Sequence, residues 1–194
     1  MKKTIAALAL LLAAFGTFAA QVRTRGVPTA PIVLEVFSDF QCPGCKALYE
    51  NTLRPLMADY ADKGKVYVIH REYPLPIHAH AMEAACYACA ASHVGKYEQA
   101  CDALFRQQAV WSSNGKVDEV VCGVLTPAEA KKVRALAKDP GIVAEVQQDM
   151  QLGRNNKVDG TPTLILTHRM RQYRVPGGVS YPILQRFLDQ LLAN

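Results

Sequence analysis

The sequence of 194 residues contains no internal repeat, no low-complexity tract and, after its first twenty residues, no apolar run of membrane-spanning length. Its formal net charge is only +5, to which Lys2 and Lys3 contribute two charges, so we expect no nucleic-acid partner. Hydrophobic residues make up 50% of the chain and charged residues 20%, which argues against disorder. This composition predicts one globular domain with a substantial core.

Residues 1–19 have the pattern of a cleaved export signal. Two lysines precede an apolar run over 5–15, which is too short for a comfortable membrane span. Thr17 and Ala19 occupy the small-residue positions required for cleavage after Ala19. We therefore expect the mature protein in the periplasm or another oxidising extracytoplasmic space, where cysteines are paired or reactive.

The next part of the chain predicts the start of an α/β fold. Residues 20–30 are polar and contain glycine and proline, so we expect a flexible lead-in. Residues 32–37 and 65–73 are apolar, β-branched or aromatic and predict strands. Between them, apolar residues at helical spacing predict a helix that kinks at Pro55 and ends at Gly64. The predicted order is therefore strand, helix, strand. This order is typical of a parallel sheet.

Helical patterns then follow one another without strand signals. We expect N-caps at Ser113, Thr126 and Asp139, and Thr126 also begins a capping-box pattern. Strand character returns afterwards, and an amphipathic helix ends the chain. The predicted strands are 163–168 and 171–177, and the predicted helix is 181–192. The predicted organisation is one domain built from 31–77 and 158–194, with an all-helical insertion over 78–157.

Cys42 and Cys45 stand two residues apart between a predicted strand and a predicted helix. A zinc site would need further ligands, a static disulfide usually closes a longer loop, and unused thiols are unusual in an exported protein. A redox pair needs two sulfurs close enough to bond and one at a helix N-terminus, and this position supplies both. The spacing therefore favours a redox centre.

Pro43 indicates which cysteine is the nucleophile. Proline suits the first helical position, which places Cys42 at or beside the N-cap. Free N–H groups and the helix dipole favour a thiolate there. We predict that Cys42 is the nucleophile and that Cys45, about one turn into the helix, is the resolving thiol.

The stretches FSDFQCPGC and GTPT, with the inserted helices between them and the final hairpin and helix, resemble the DsbA-like branch of the thioredoxin superfamily over essentially the whole mature chain. This resemblance implies a thioredoxin-like fold with an all-helical insertion and a protein thiol:disulfide oxidoreductase that introduces disulfides into other proteins. It implies that Pro162 is cis and packs beside the disulfide. Thr161 would present backbone groups to an extended substrate segment.

The resemblance also assigns further site residues. Glu35 is expected to be a buried proton acceptor for the resolving thiol, and Asp39 is expected to cap or orient the loop. Pro43 and Gly44 join Thr161 as expected substrate-binding residues. Many members of the family have a histidine at the position of Gly44, so the oxidising strength of this pair is left open.

The expected partners follow from the same resemblance. They are unfolded or reduced exported proteins, and a membrane re-oxidase of the DsbB or vitamin-K-epoxide-reductase type. We expect no cofactor, and a monomer, because the chain has no room for the dimerisation domain that an isomerase of this superfamily usually adds. The alternatives are a disulfide reductase or isomerase fed by a membrane electron donor, a metal-binding or metal-delivery module, and a non-catalytic chaperone.

Four further cysteines lie in the predicted insertion. We prefer a structural disulfide between Cys101 and Cys122, although four cysteines allow three pairings. Cys86 and Cys89 are predicted on one helix, where a bond between them would be strained, so a second active site is not expected. The metal-binding alternative would use these cysteines with two upstream histidines, His78 and His80, but no metal site is predicted.

Overall fold

A five-stranded sheet forms the centre of the protein, in a computed structural model that describes residues 23–193. The predicted export signal lies outside the described residues. The strand order is β1-β3-β2-β4-β5, in which β2 and β3 are parallel and every other pair is antiparallel. The strands are β1 (Thr24–Arg25), β2 (Ile32–Ser38), β3 (Val66–Glu72), β4 (Thr163–His168) and β5 (Arg171–Pro176). The parallel pair predicted from the sequence is confirmed.

The helices surround this sheet, and α3 to α8 lie between β3 and β4 in the chain. They are α1 (Pro43–Leu48), α2 (Arg54–Leu56), α3 (Ala81–Ser92), α4 (Tyr97–Arg106), α5 (Gln108–Asn114), α6 (Val117–Cys122), α7 (Pro127–Leu136), α8 (Pro140–Asn155) and α9 (Tyr181–Ala193). Two π-helical stretches, Tyr49–Leu53 and Met57–Ala61, continue the helix of α1 and α2. They flank Pro55, which has no N–H to donate to the preceding turn.

Alternation along the strands gives the sheet two buried faces. Ile32, Leu34 and Val36 of β2 point to one face, where they pack with the helices from α1 to Ala61 and with α9. On the other face Phe37 and Tyr73 pack beneath α8. Gly153 of α8 lets that helix approach closely, because a Cβ there would lie 2.4 Å from the Tyr73 ring. Both faces of β2 are therefore covered. This packing fixes the position of Ser38, where β2 ends, just before the loop that carries Cys42.

Two of the three predicted helix caps are confirmed. Thr126 forms a complete capping box with Glu129, and the Asp139 side chain accepts from the Gly141 N–H. The predicted cap at Ser113 is wrong, because Ser113 lies inside α5 and its hydroxyl donates to the carbonyl of the residue three positions earlier. Helix α5 continues to Gly115, whose φ of 71° ends it.

Residues 20–30 were predicted to be a flexible lead-in, but regular structure already begins within them. Thr24 and Arg25 form β1, which pairs with β3 and covers what would otherwise be an open sheet edge. Arg25 forms ion pairs with Asp62 and Glu98, so two other parts of the chain hold this segment. Within residues 23–193, no helix is both long enough and apolar enough to cross a membrane.

Candidate active site

Cys42 is the N-cap of α1, at the point where the chain has just left β2. Its backbone is extended, Pro43 follows in the first turn, and the Cys42 carbonyl accepts from the N–H groups of Cys45 and Lys46 at 3.1 and 3.2 Å. Cys42 is 9% exposed, whereas Cys45 is 1% exposed. The position predicted for each sulfur is thus the one found, and a substrate can approach Cys42 more readily than Cys45.

The two thiols differ sharply in acidity. A hydrogen bond from the Cys45 thiol lowers the pKa of Cys42 to about 5, against the opposing effect of burial, with help from the Cys45 and Gly44 N–H groups and the Thr161 side chain. Burial, followed by the same hydrogen bond, raises the pKa of Cys45 far above its ordinary value. Cys42 is therefore a thiolate at neutral pH, and Cys45 holds a proton.

The peptide bond between Thr161 and Pro162 is cis, as the resemblance implied. Cys42 Sγ lies 3.4 Å from the Thr161 carbonyl oxygen, to which it donates only when protonated, so the proline loop and the cysteine pair are in direct contact. Gly44 also faces this loop, since a Cβ on Gly44 would lie 3.3 Å from Pro162 Cδ. The GTPT and CPGC stretches thus form one site.

Asp39 belongs to the loop between β2 and α1, and its side chain and backbone hold that loop in place. Its backbone N–H donates to Cys45 Sγ at 3.4 Å, and its Oδ1 accepts from the Gln41 N–H at 2.7 Å. Its Oδ2 accepts from the Leu75 N–H at 2.8 Å and lies 2.7 Å from His78 Nδ1. The side chain is fully buried, and it orients the loop as predicted.

Glu35 is held elsewhere. Its Oε1 accepts from Nε and Nη2 of Arg71 at 2.9 and 2.7 Å, and Arg71 also contacts Asp149 of α8. The polar groups around Cys45 come from Cys42, Asp39 and Ser38 rather than from Glu35. Asp39 meets the Cys45 sulfur through its backbone N–H and not through its carboxylate. The role of Glu35 as a proton acceptor stays a prediction that these contacts do not support.

Two glutamines join this loop to the helices that follow β3, and sequence reasoning missed both. The Gln108 amide donates to the carbonyls of Phe40 and Cys42, and the Gln41 side chain links His80 to Ser112. Gln41 could have been suspected from its place next to Cys42. Nothing in the sequence marks Gln108, which is one of several glutamines on helices.

The histidines proposed as metal ligands are separated by their contacts. His78 bonds to Asp39, while the His80 ring lies against Gly115 of α5. Over residues 23–193, no three histidine, cysteine, aspartate or glutamate side chains come together in a geometry that could hold a metal ion.

All six cysteines are thiols in the structure. Cys101 lies on α4, while Cys122 lies on α6 and donates to Asp118 Oδ1 at 3.2 Å, so their disulfide stays a prediction. Cys86 and Cys89 are buried in an apolar cluster with Ile142 and Val146 of α8. Burial raises the pKa of Cys86 to about 11, which makes it a poor nucleophile at neutral pH.

A mostly apolar groove of about 310 Å³ opens beside the CPGC stretch. Gly44, Ala47 and Leu48 of the first helical turns form one wall, and Val179 before α9 lies on the other. The groove is continuous with Gly44, which itself faces Pro162. It offers apolar contact to a peptide segment whose cysteine is close to Cys42.

The family model described as thioredoxin matches residues 19–189 of this sequence. The chain belongs to the thioredoxin family. The fold is similar to that of the thioredoxin-like oxidoreductase of Silicibacter pomeroyi, with a TM-score of 0.74 at 23% identity, covering 90% of this chain and 94% of that one. BdbD of Bacillus subtilis in its oxidised form gives 0.74 at 17% identity, with the same coverage. Alpha-DsbA1 of Wolbachia pipientis gives 0.72 at 18%, covering 87% and 89%.

These similarities confirm the predicted thioredoxin-like fold with a helical insertion, in the form found in DsbA-like proteins. A curated relative, the Na(+)/H(+) antiporter NhaA 3 of Salinispora tropica, is 27% identical over 146 residues. The match takes in 75% of this chain, and the chain spans about a fifth of the length of that relative.

Proposed function

We propose that this protein is an exported thiol:disulfide oxidoreductase that introduces disulfides into other proteins through Cys42 and Cys45. The observation that carries the proposal is the opposite shift of the two thiols, with a thiolate at Cys42 and a protonated thiol at Cys45. A low pKa at the nucleophile stabilises the dithiol form, and a protein whose dithiol form is stabilised is an oxidant.

The reaction begins with the Cys42–Cys45 disulfide. A substrate thiolate attacks Cys42 Sγ, a substrate–Cys42 disulfide forms, and Cys45 leaves as a thiolate that takes up a proton because of its raised pKa. A second substrate thiolate then attacks the substrate sulfur of the mixed disulfide. The substrate disulfide forms, and Cys42 leaves as a stable thiolate. Two electrons pass from the substrate to the protein.

Substrate segments would be held loosely by apolar and backbone contacts. The groove beside Gly44 supplies apolar surface, and the Thr161 carbonyl oxygen lies 3.4 Å from Cys42 Sγ. Ile77 and Val110 are 82% and 58% exposed on the two segments that flank the active-site loop. This surface suits unfolded or reduced proteins of varied sequence, because it requires no particular side chain.

The rest of the cycle needs a partner. The dithiol must return two electrons to an oxidant, for which a membrane re-oxidase of the DsbB or vitamin-K-epoxide-reductase type is proposed. Export to the periplasm or a similar space is proposed from the N-terminal residues, and the protein is proposed to act as a monomer. Glycine at position 44, instead of histidine, keeps a weaker oxidant, a reductase or an isomerase as the second candidate.

The test uses a reduced peptide with two cysteines as substrate. Cys45→Ser should accumulate a mixed disulfide between Cys42 and the peptide, while Cys42→Ser should trap none. The oxidised wild-type protein should convert the peptide to its disulfide in a one-to-one reaction. Failure to trap a mixed disulfide, or oxidation by the Cys42→Ser variant, would exclude the proposal.

A further inference from the structure

We propose that Gln108, in the helical insertion, is a positioning residue that sets the redox equilibrium of the Cys42–Cys45 pair. The inference rests on the proposed redox function but not on the direction in which electrons flow. Through Gln108, helix α5 would hold the active-site loop in the geometry that stabilises the Cys42 thiolate.

The Gln108 amide reaches the loop from a buried position. Gln108 is the first residue of α5 and is 7% exposed. Its Nε2 donates to the Phe40 carbonyl at 2.7 Å and to the Cys42 carbonyl at 3.0 Å. One side-chain amide therefore satisfies two backbone carbonyls on either side of Gln41, and both contacts join parts of the chain more than sixty residues apart.

The Cys42 carbonyl is also part of the first helical turn. It accepts from the N–H groups of Cys45 and Lys46. The Cys45 and Gly44 N–H groups lower the pKa of Cys42. Fixing the Cys42 carbonyl therefore fixes the direction of the N–H groups that stabilise the thiolate. Gln108 is neutral, so it acts through this geometry and adds no charge to the site.

A second side chain strengthens the same attachment. Gln41 Oε1 accepts from the His80 N–H at 2.8 Å, and Gln41 Nε2 donates to the Ser112 carbonyl at 3.3 Å. Helix α5 is itself anchored, because the fully buried Trp111 donates to the Leu104 carbonyl at 2.7 Å. The insertion thus holds the loop at several points from one rigid side.

The two redox forms depend on this attachment to different extents. In the disulfide form, the covalent bond between the two sulfurs restrains the loop by itself. In the dithiol form, only non-covalent contacts orient the Cys42 carbonyl and the N–H groups that face the thiolate. Losing the Gln108 contacts should therefore destabilise the dithiol form more than the disulfide form and make the protein a weaker oxidant.

The test replaces Gln108 by methionine, which has a similar length and no hydrogen-bond donor. We expect Gln108→Met to raise the pKa of Cys42 and to shift the equilibrium with glutathione roughly three- to tenfold toward the disulfide, the range of one hydrogen-bond contribution. Gln107→Met is the matched control, because Gln107 is the exposed neighbour on the same stretch, and it should leave both quantities unchanged.

A purely structural role for Gln108 would lower the stability of both redox forms equally. An equilibrium within about twofold of wild type in Gln108→Met would overturn the inference, whatever the change in stability. If the methionine variant does not fold, Gln108→Asn decides, because it keeps the amide but withdraws it by one methylene, and the same shift is expected. A wild-type protein that exchanges no disulfide with glutathione would overturn the proposed function as well, whereas normal exchange with unchanged variants would overturn this inference alone.

Discussion

The acidity of Cys42 makes the stability of the dithiol protein depend on pH. A thiol whose pKa is lower in the folded state than in the unfolded state stabilises the fold at high pH. This contribution is complete above the unfolded pKa of about 8.5 and is lost as the pH falls through the folded value of about 5. The disulfide form has no Cys42 thiolate, so it lacks this contribution.

The size of this contribution to stability follows from the difference between the folded and unfolded pKa values of Cys42. At pH 7, about two pH units above the folded pKa, the thiolate contributes up to about 2.7 kcal/mol, at about 1.4 kcal/mol per unit. We expect about 1–2 kcal/mol in practice, because Cys42 is partly accessible to solvent and water screens its contacts. Groups common to both redox forms, such as Glu72, whose pKa burial raises to about 8, largely cancel in the difference between the forms.

Urea denaturation measures the difference in the free energy of unfolding between the dithiol and disulfide forms. It should be carried out from about pH 5 to about pH 8. The free energy of unfolding of the dithiol form should rise relative to that of the disulfide form as the pH increases. Cys42→Ser should abolish the rise in the reduced protein. A difference that stays constant over this range, with Cys42 titrating near its ordinary pKa, would refute the reasoning.

Four substitutions test other parts of the structure. Gly153→Ala should lower the free energy of unfolding by about 1–3 kcal/mol in thermal or urea denaturation, because the new methyl group meets the Tyr73 ring. Thr126→Ala should cost about 1 kcal/mol through loss of the capping box, whereas Ser113→Ala removes no cap and should have a smaller effect. Glu35→Gln should cost about 1 kcal/mol by weakening an ion pair while leaving the pKa of Cys42 unchanged; a shifted thiolate titration would restore its proposed catalytic role.

Local patterns were enough to predict the elements that carry the chemistry. The apolar run of β2 and the proline after Cys42 place Cys42 at a helix N-terminus, and both signals lie within about ten residues of one another. The Thr126 cap was predictable for the same reason, since its partner Glu129 is three residues away. Pro162 needed the family resemblance, because a Gly-Thr-Pro stretch alone indicates only a turn.

The features that were missed depend on contacts between distant parts of the chain. Strand β1 has only two residues, and it forms because β3 offers an edge and Arg25 finds two carboxylates. The sequence could place Asp39 in the loop before Cys42, but only the fold shows that the Glu35 side chain is held by Arg71. Gln108 is brought to that loop by the packing of α5, which no local pattern indicates.

The central claim is that the Cys42–Cys45 pair is an oxidant. The most direct test is the equilibrium of the wild-type pair with reduced and oxidised glutathione, from which its redox potential follows. We predict a potential clearly more oxidising than about −200 mV, together with a Cys42 pKa well below its ordinary value. A potential near the value of about −270 mV typical of thioredoxin, with an ordinary pKa, would contradict it.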